Sequence, residues 1–389
     1  MTAFNTVEHN TARIRHLIRM FRLSVPEFLE KISIGLKNPV TEDDVFGNEI
    51  KLNHLKRIDK LFEKGLHYYL DPKAPETSKK ASIFFRKESF NTESLNIGAV
   101  KTVNAFEDLK HSLSAIAKLS ELRLERKIKK YSISTDPEKA AIEIREKLYP
   151  KFDSNRRNFL KALITKLADY NIMVFEFVET WNKKEKANID GFYLKPNMIV
   201  LKRYQSFTRE IFTLAHELGH YLLDEEEVES VDGREINLRH ENRTETWCNV
   251  FAFHFLAGRY SSVINEIGSA GAENDYHFET IVRISQQTHL SRLALYTKML
   301  FNNQINHTSY KKVKNDLEEE FLRKEEERER EKQRKKELGI KTQGRAPKPI
   351  KSPLLVSTIQ QAYYSGVLDE YEVGKKLNIK PEKIGDFIE

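Results

Sequence analysis

The stretch Phe212-Thr213-Leu214-Ala215-His216-Glu217-Leu218-Gly219-His220-Tyr221-Leu222-Leu223 decides how this chain is read. It contains H-E-x-x-H within a run of helical spacing. At about 100° per residue, positions four apart on a helix fall about 40° from each other, so His216 and His220 share one face. Both imidazoles can then reach one metal ion, with Glu217 beside them and placed to take a proton from water. Ile211, Leu214, Ala215, Leu218 and Leu222 form a stripe nearly opposite the histidines. The pattern predicts a helix with one side on a core and the other on a cleft. H-E-x-x-H also arises by chance on solvated helix faces. A catalytic zinc takes three protein ligands and keeps a fourth position open, so the next requirement is a third ligand.

Downstream lies Arg243-Thr-Glu245-Thr-Trp-Cys248-Asn249-Val-Phe251-Ala252-Phe-His254-Phe255-Leu256-Ala-Gly258. Cys248, Phe251, Ala252, Phe255 and Leu256 mark an apolar helical face, and Gly258 suits a left-handed stop after the last turn. Glu245 sits near the start of this second helix, and a carboxylate oxygen is a standard partner for two imidazoles. Other donors compete. Asp224, Glu225, Glu226, Glu227 and Glu229 follow the first helix, but acidic runs are usually solvated loops. His240 and His254 are available, while Cys248, alone on an apolar face, reads as inert core.

These two segments resemble the ImmA/IrrE family of metallopeptidases. The first looks like that family's F-T-x-A-H-E-L-G-H helix. Glu245 to Ala252 is similar to its E-x-x-A-N-x-F-A element, with Cys248 in place of the usual alanine and no L-L-x-P continuation after Leu256. The resemblance is specific over about residues 185–300. It implies an α+β, mainly helical chain with a zincin-like catalytic domain: a small twisted sheet, the H-E-x-x-H helix and a second ligand helix. It also implies Zn2+ held by His216, His220 and Glu245, Glu217 as general base, and a protein substrate such as an XRE-type repressor or an antitoxin-like regulator.

The chain has 389 residues, 39% hydrophobic and 32% charged, with a net charge of +7 and a single cysteine. The length allows two or three domains. The basic charge is spread along the chain and is weak evidence for nucleic acid. One cysteine excludes an internal disulfide framework and fits a reducing compartment. No signal-peptide core or membrane-length apolar run is present, so a cytoplasmic protein is expected.

Five regions are expected: a helical module over 1–75, a helical connector over 76–150, the metallopeptidase domain over 151–305, a charged helical spacer and hinge over 306–350, and a small helical module over 351–389. Residues 12–70 look like a degenerate XRE-type helix-turn-helix. A basic helix leads into Leu23-Ser24-Val-Pro-Glu27-Phe-Leu, but Ser33–Asp44 lacks a recognition helix. Binding a protein partner is therefore preferred to reading DNA. Residues 72–82 read as a linker, and Ile83–Phe90 loosely resembles an F-F-R segment found in the family. Lys311–Lys341, alternating blocks of opposite charge, reads as a solvated single helix.

Ile172–Val178 has strand composition, and Gly191–Leu194 with Met198–Leu201 reads as a hairpin around Lys195-Pro196-Asn197. Met198, Ile199, Val200 and Leu201 are the expected edge against which an extended substrate would pair. Tyr193, Tyr204, Tyr221 and His254 are the available oxyanion donors. Three functions follow: an endopeptidase acting on a regulatory protein, a transcription regulator whose zinc domain only senses or binds, and a toxin-antitoxin or phage-defence component. A chain beginning near Lys151 is expected to keep zinc but lose most cleavage of its native partner, the N-terminal helices being the expected docking surface, and deleting 311–389 is expected to cost less.

Overall fold

A computed structural model describes residues 6–21, 23–75, 95–179, 185–203, 206–228, 242–340 and 348–388. The chain is α+β, mainly helical with small sheets. It divides into two compact units, Met1–Leu109 with Glu185–Asn188, and Lys110–Lys184 with Ile189–Glu389.

In the first unit β1 (Thr6–Glu8) pairs antiparallel with β2 (Glu49–Lys51). Around them lie α1 (Thr11–Met20), α2 (Val25–Ser33), α3 (Glu42–Phe46), α4 (Leu52–Phe62) and α5 (Leu66–Leu70). Ser24 starts α2 through a capping box: its hydroxyl accepts from the Glu27 N–H, and the Glu27 carboxylate accepts from the Ser24 N–H. Residues 34–41 carry no helix, and α3 has Glu42, Asp43 and Asp44 in its first turn. Where a recognition helix would stand there is a short acidic one, of the same charge sign as phosphate. The expected F-F-R segment lies outside the described residues.

In the second unit α6 (Ile97–Leu119, entering from the first), α7 (Pro137–Leu148) and α8 (Arg156–Asp169) precede β3 (Met173–Phe177), β4 (Gly191–Leu194) and β5 (Met198–Lys202). Then come α9 (Phe207–Leu223), α10 (Arg243–Ala257), α11 (Tyr260–Glu266), α12 (Phe278–Thr288) and α13 (Arg292–Phe301). The sheet order is β3-β5-β4, with β3 parallel and β4 antiparallel to β5. This corrects the expected substrate edge. Met198, Ile199, Val200 and Leu201 pair with β3 on one side and β4 on the other, so β5 has no side left for a substrate. All four are buried, as a central strand of continuous apolar residues should be.

Helices α9 and α10 are buried on nearly every side, rather than on one stripe as expected. Ile211, Leu214, Leu218 and Leu222 join one core with Tyr193, Ile199, Leu201, Cys248, Phe251 and Phe255. Segments before 151 complete that core. Helix α7 packs on α10, and its Arg145 donates to the Phe255 and Leu256 carbonyls at the C-terminal end of α10. Gly258 has a φ of 52°, a conformation that favours glycine, and a Cβ there would displace the Arg145 guanidinium 2.6 Å away. Arg126 closes the C-terminal end of α9, donating to the Tyr221 and Leu222 carbonyls with its guanidinium 3.9 Å from the Tyr221 ring centre.

Beyond α13, α14 (His307–Glu337) buries Tyr310 and Val313, half-buries Leu317 and Glu320, and is almost wholly exposed from Phe321 on, with Glu–Lys and Glu–Arg pairs three and four apart. The C-terminal helices α15 (Pro353–Tyr364), α16 (Glu370–Leu377) and α17 (Gly385–Ile388) dock rather than trail. Helix α15 packs on α8, the buried Ile350 donates its N–H to Glu176 of β3, and Lys376 donates to Ser112 of α6 at 2.8 Å.

Candidate metal centre

Helices α9 and α10 cross at Gly219 and Cys248. A Cβ on Gly219 would lie 3.0 Å from the Cys248 Sγ and 3.1 Å from its Cα, so the two helices approach more closely there than a larger residue fits without a shift. Glu245 stands three residues before Cys248, on the side of α10 that meets the two histidines of α9. The resulting cluster is compact. The Nε2 atoms of His216 and His220 are 3.1 Å apart. Glu245 Oε2 is 3.1 Å from His216 Nε2, and Glu245 Oε1 is 3.1 Å from His220 Nε2. The His220 and Glu245 side chains are buried, and that of His216 is 15% exposed, so the cluster opens on the His216 side.

The donor set fits zinc. Two imidazole nitrogens and one carboxylate oxygen are a common protein ligand set for zinc, and one such atom from each of the three residues lies within 4.8 Å of the others. His216 Nδ1 is 2.9 Å from Asn249 Oδ1. An amide oxygen only accepts, so Nδ1 carries a proton, and Nε2 is the nitrogen left to bind an ion. Burial works against charge on both imidazoles, but the Glu245 carboxylate beside them raises their pKa values, so an ion binding at Nε2 competes with a proton there. Burial likewise pushes Glu245 up, and the two imidazoles outweigh it and hold the carboxyl below its usual range.

Glu217 lies next to the ligands, buried, with its Cγ 3.3 Å from where a Cβ on Gly191 would stand. Helix α9 therefore passes β4 at that point, where a larger residue would be pressed against Glu217 and Thr213.

The competing donors lie elsewhere. Asp224 accepts from Lys130 and the Tyr193 hydroxyl, Glu226 accepts the Lys195 N–H at 2.7 Å, and Glu227 accepts from Asn242. The acidic run is thus partly buried and engaged, not a solvated loop. Glu229 and His240 lie outside the described residues. Burial pushes the Cys248 thiol up to about 11, which keeps it protonated. His254 faces Ser261 Oγ at 2.9 Å and Glu138 at 3.4 Å. Of the oxyanion candidates, Tyr193 shares its hydroxyl proton between Pro196 O and Asp224, Tyr221 stacks under Arg126, and His254 is engaged as above. Tyr204 lies outside the described residues. Sequence reasoning assigned no role to Asn249. The signal was available, since Asn249 lies four residues after Glu245 and so on the same helix face.

Residues 169–257 match the model of a peptidase family described as the IrrE N-terminal-like domain. The match spans β3, β4, β5, α9 and α10, the elements that build the cluster. The chain therefore carries a peptidase-family domain. No curated protein and no solved structure matches it. No helix among the described residues is long and apolar enough to cross a membrane.

Proposed function

We propose that the chain is a zinc-dependent endopeptidase that cleaves a regulatory protein, of the kind exemplified by XRE-type repressors and antitoxins. The observation that carries this reading is the convergence of His216, His220 and Glu245 with Glu217 beside them, inside a segment matching a peptidase family. His216 and His220 would hold the ion through Nε2, and Glu245 through its carboxylate. When bound, zinc supplies Lewis-acid polarisation of the scissile carbonyl and lowers the pKa of water at the site. Glu217 takes the proton of the attacking water and passes it to the leaving amine. A residue that only senses metal has no need of such a base, which favours hydrolysis over pure binding.

Substrate placement follows from the sheet. With β5 enclosed, β4 is the strand that passes the catalytic helix at Glu217, and an extended substrate backbone lies along β4. The α3 acidity argues for a protein partner rather than DNA at the N-terminal unit.

The decisive experiment incubates the protein with the products of neighbouring genes, with and without chelator, alongside Glu217→Gln. Zinc content should be unchanged in Glu217→Gln while cleavage falls by roughly 10²–10⁴-fold. Glu245→Ala should lose zinc. Normal cleavage by Glu217→Gln would place the base elsewhere.

A further inference from the structure

We propose that Asn249 is a positioning residue that fixes the tautomer and ring orientation of His216. The proposal rests on the reading of His216 and His220 as zinc ligands. The two imidazoles are held in different ways. The side chain of His220 is 2% exposed, with the Cys248 thiol as its neighbour, so close packing restrains its ring. The side chain of His216 is 15% exposed, on the open side of the cluster, where packing restrains it less. Its ring is instead tied by the 2.9 Å hydrogen bond from Nδ1 to Asn249 Oδ1.

An imidazole free to exchange its proton between nitrogens would spend part of its time with Nε2 protonated, unable to bind metal. It could also rotate about χ2 and carry Nε2 out of the cluster. The amide oxygen opposes both changes. The lever is short and rigid, because Asn249 follows Glu245 by one turn of α10. One helix thus presents the third ligand and the group that aims the first. Partners of this kind typically contribute 10–100-fold to metal affinity.

The test compares full-length protein with Asn249→Asp and Asn249→Leu. Zinc affinity is read by chelator competition, the cobalt-loaded absorption spectrum reports ligand geometry, and thermal melting of metal-free protein monitors folding. Aspartate keeps an acceptor, so it should retain affinity within about threefold or tighten it, with an unchanged cobalt spectrum. Leucine should lose about 10–100-fold and alter the spectrum. If Asn249→Leu unfolds the chain, Asn249→Ala removes the same acceptor with less bulk. Native affinity in the leucine or alanine variant would overturn the proposal, as would equal losses in the aspartate and leucine variants. Should the unaltered protein bind no zinc, the reading of the ligands fails first, a result distinct from either.

Discussion

Gly219 is the residue on which the geometry of the metal centre turns. In an isolated helix, glycine to alanine is favourable by up to about 1 kcal/mol, because glycine loses more backbone freedom on folding. Here the added methyl would press on Sγ, Cβ and Cα of Cys248, all within 3.1 Å. A backbone atom cannot rotate aside, so α9 and α10 would have to separate. Overpacking of this kind costs about 1–3 kcal/mol, which exceeds the gain in propensity. Gly219→Ala should therefore lower the stability of the metal-free protein in denaturant melts and weaken zinc binding, since Glu245 moves with α10. A stabilised variant with native zinc affinity would show that the helices do not approach so closely. Cys248→Ala, which leaves the crossing open, should keep zinc.

At the scale of elements, the first turn of α9 carries a buried ion pair. Glu210, fully buried, pairs with Arg203 at 2.8 Å. Nearby, Glu176 of β3 accepts the Ile350 N–H, and Arg157 of α8 donates to the Lys348 carbonyl at 3.2 Å. Burial and the neighbouring Glu176 push the Glu210 carboxyl up to about 8, against the pull of Arg203 and Arg157. Glu176 is raised as well, chiefly by burial. The sign follows from proton binding. Between the ordinary carboxylate range and about pH 8 the folded state holds a proton that the unfolded state has released, so stability falls as pH rises through that window. Above about pH 8 this contribution is constant. Glutamine mimics the protonated acid, so Glu210→Gln should show a shallower loss of stability between about pH 5 and 8 in pH-dependent melts. An unchanged slope would mean that Glu210 is ionised in the folded protein across that range.

At the scale of the whole molecule, the part of the chain needed to hold the metal centre extends well ahead of residue 151. Arg126 caps α9, Tyr131 donates its N–H to the Leu222 carbonyl at 2.9 Å, Trp247 donates to Thr135 O at 2.7 Å, and α7 covers α10. A chain starting at 151 would expose Phe251, Phe255 and Leu256 and leave the ends of both ligand helices uncapped. It should fail to bind zinc, whereas one starting at 110 should bind it, as zinc content after purification would show. Removal of 349–389 should also cost stability. It uncovers α8 and strips Glu176, 7% exposed, of its donor, and a buried polar group left unpaired costs about 1–3 kcal/mol. A truncated chain that melts with the parent would show that the C-terminal helices contribute nothing to the fold.

The sequence by itself determined what depends on neighbours within a few residues. Helical periodicity places His216 and His220 on one face, puts Glu245 at the head of a second helix, and marks the hairpin around Lys195-Pro196-Asn197. The charged helix after His307 is legible for the same reason, since its ion pairs are three and four apart. Only the tertiary structure decided the rest, because those features depend on contacts between distant residues. The order β3-β5-β4 closes both sides of Met198–Leu201, which no local pattern distinguishes from an edge. Asp224 and Glu226 read as solvated until Tyr193 and Lys195 reach them across more than thirty positions. In the sequence nothing sets Arg126 apart from the other cations, and it becomes a helix cap only when folding brings the end of α9 to it. Local spacing can align donors on a helix, but the close approach at Gly219 that brings two helices' donors to one point exists only in the packed chain.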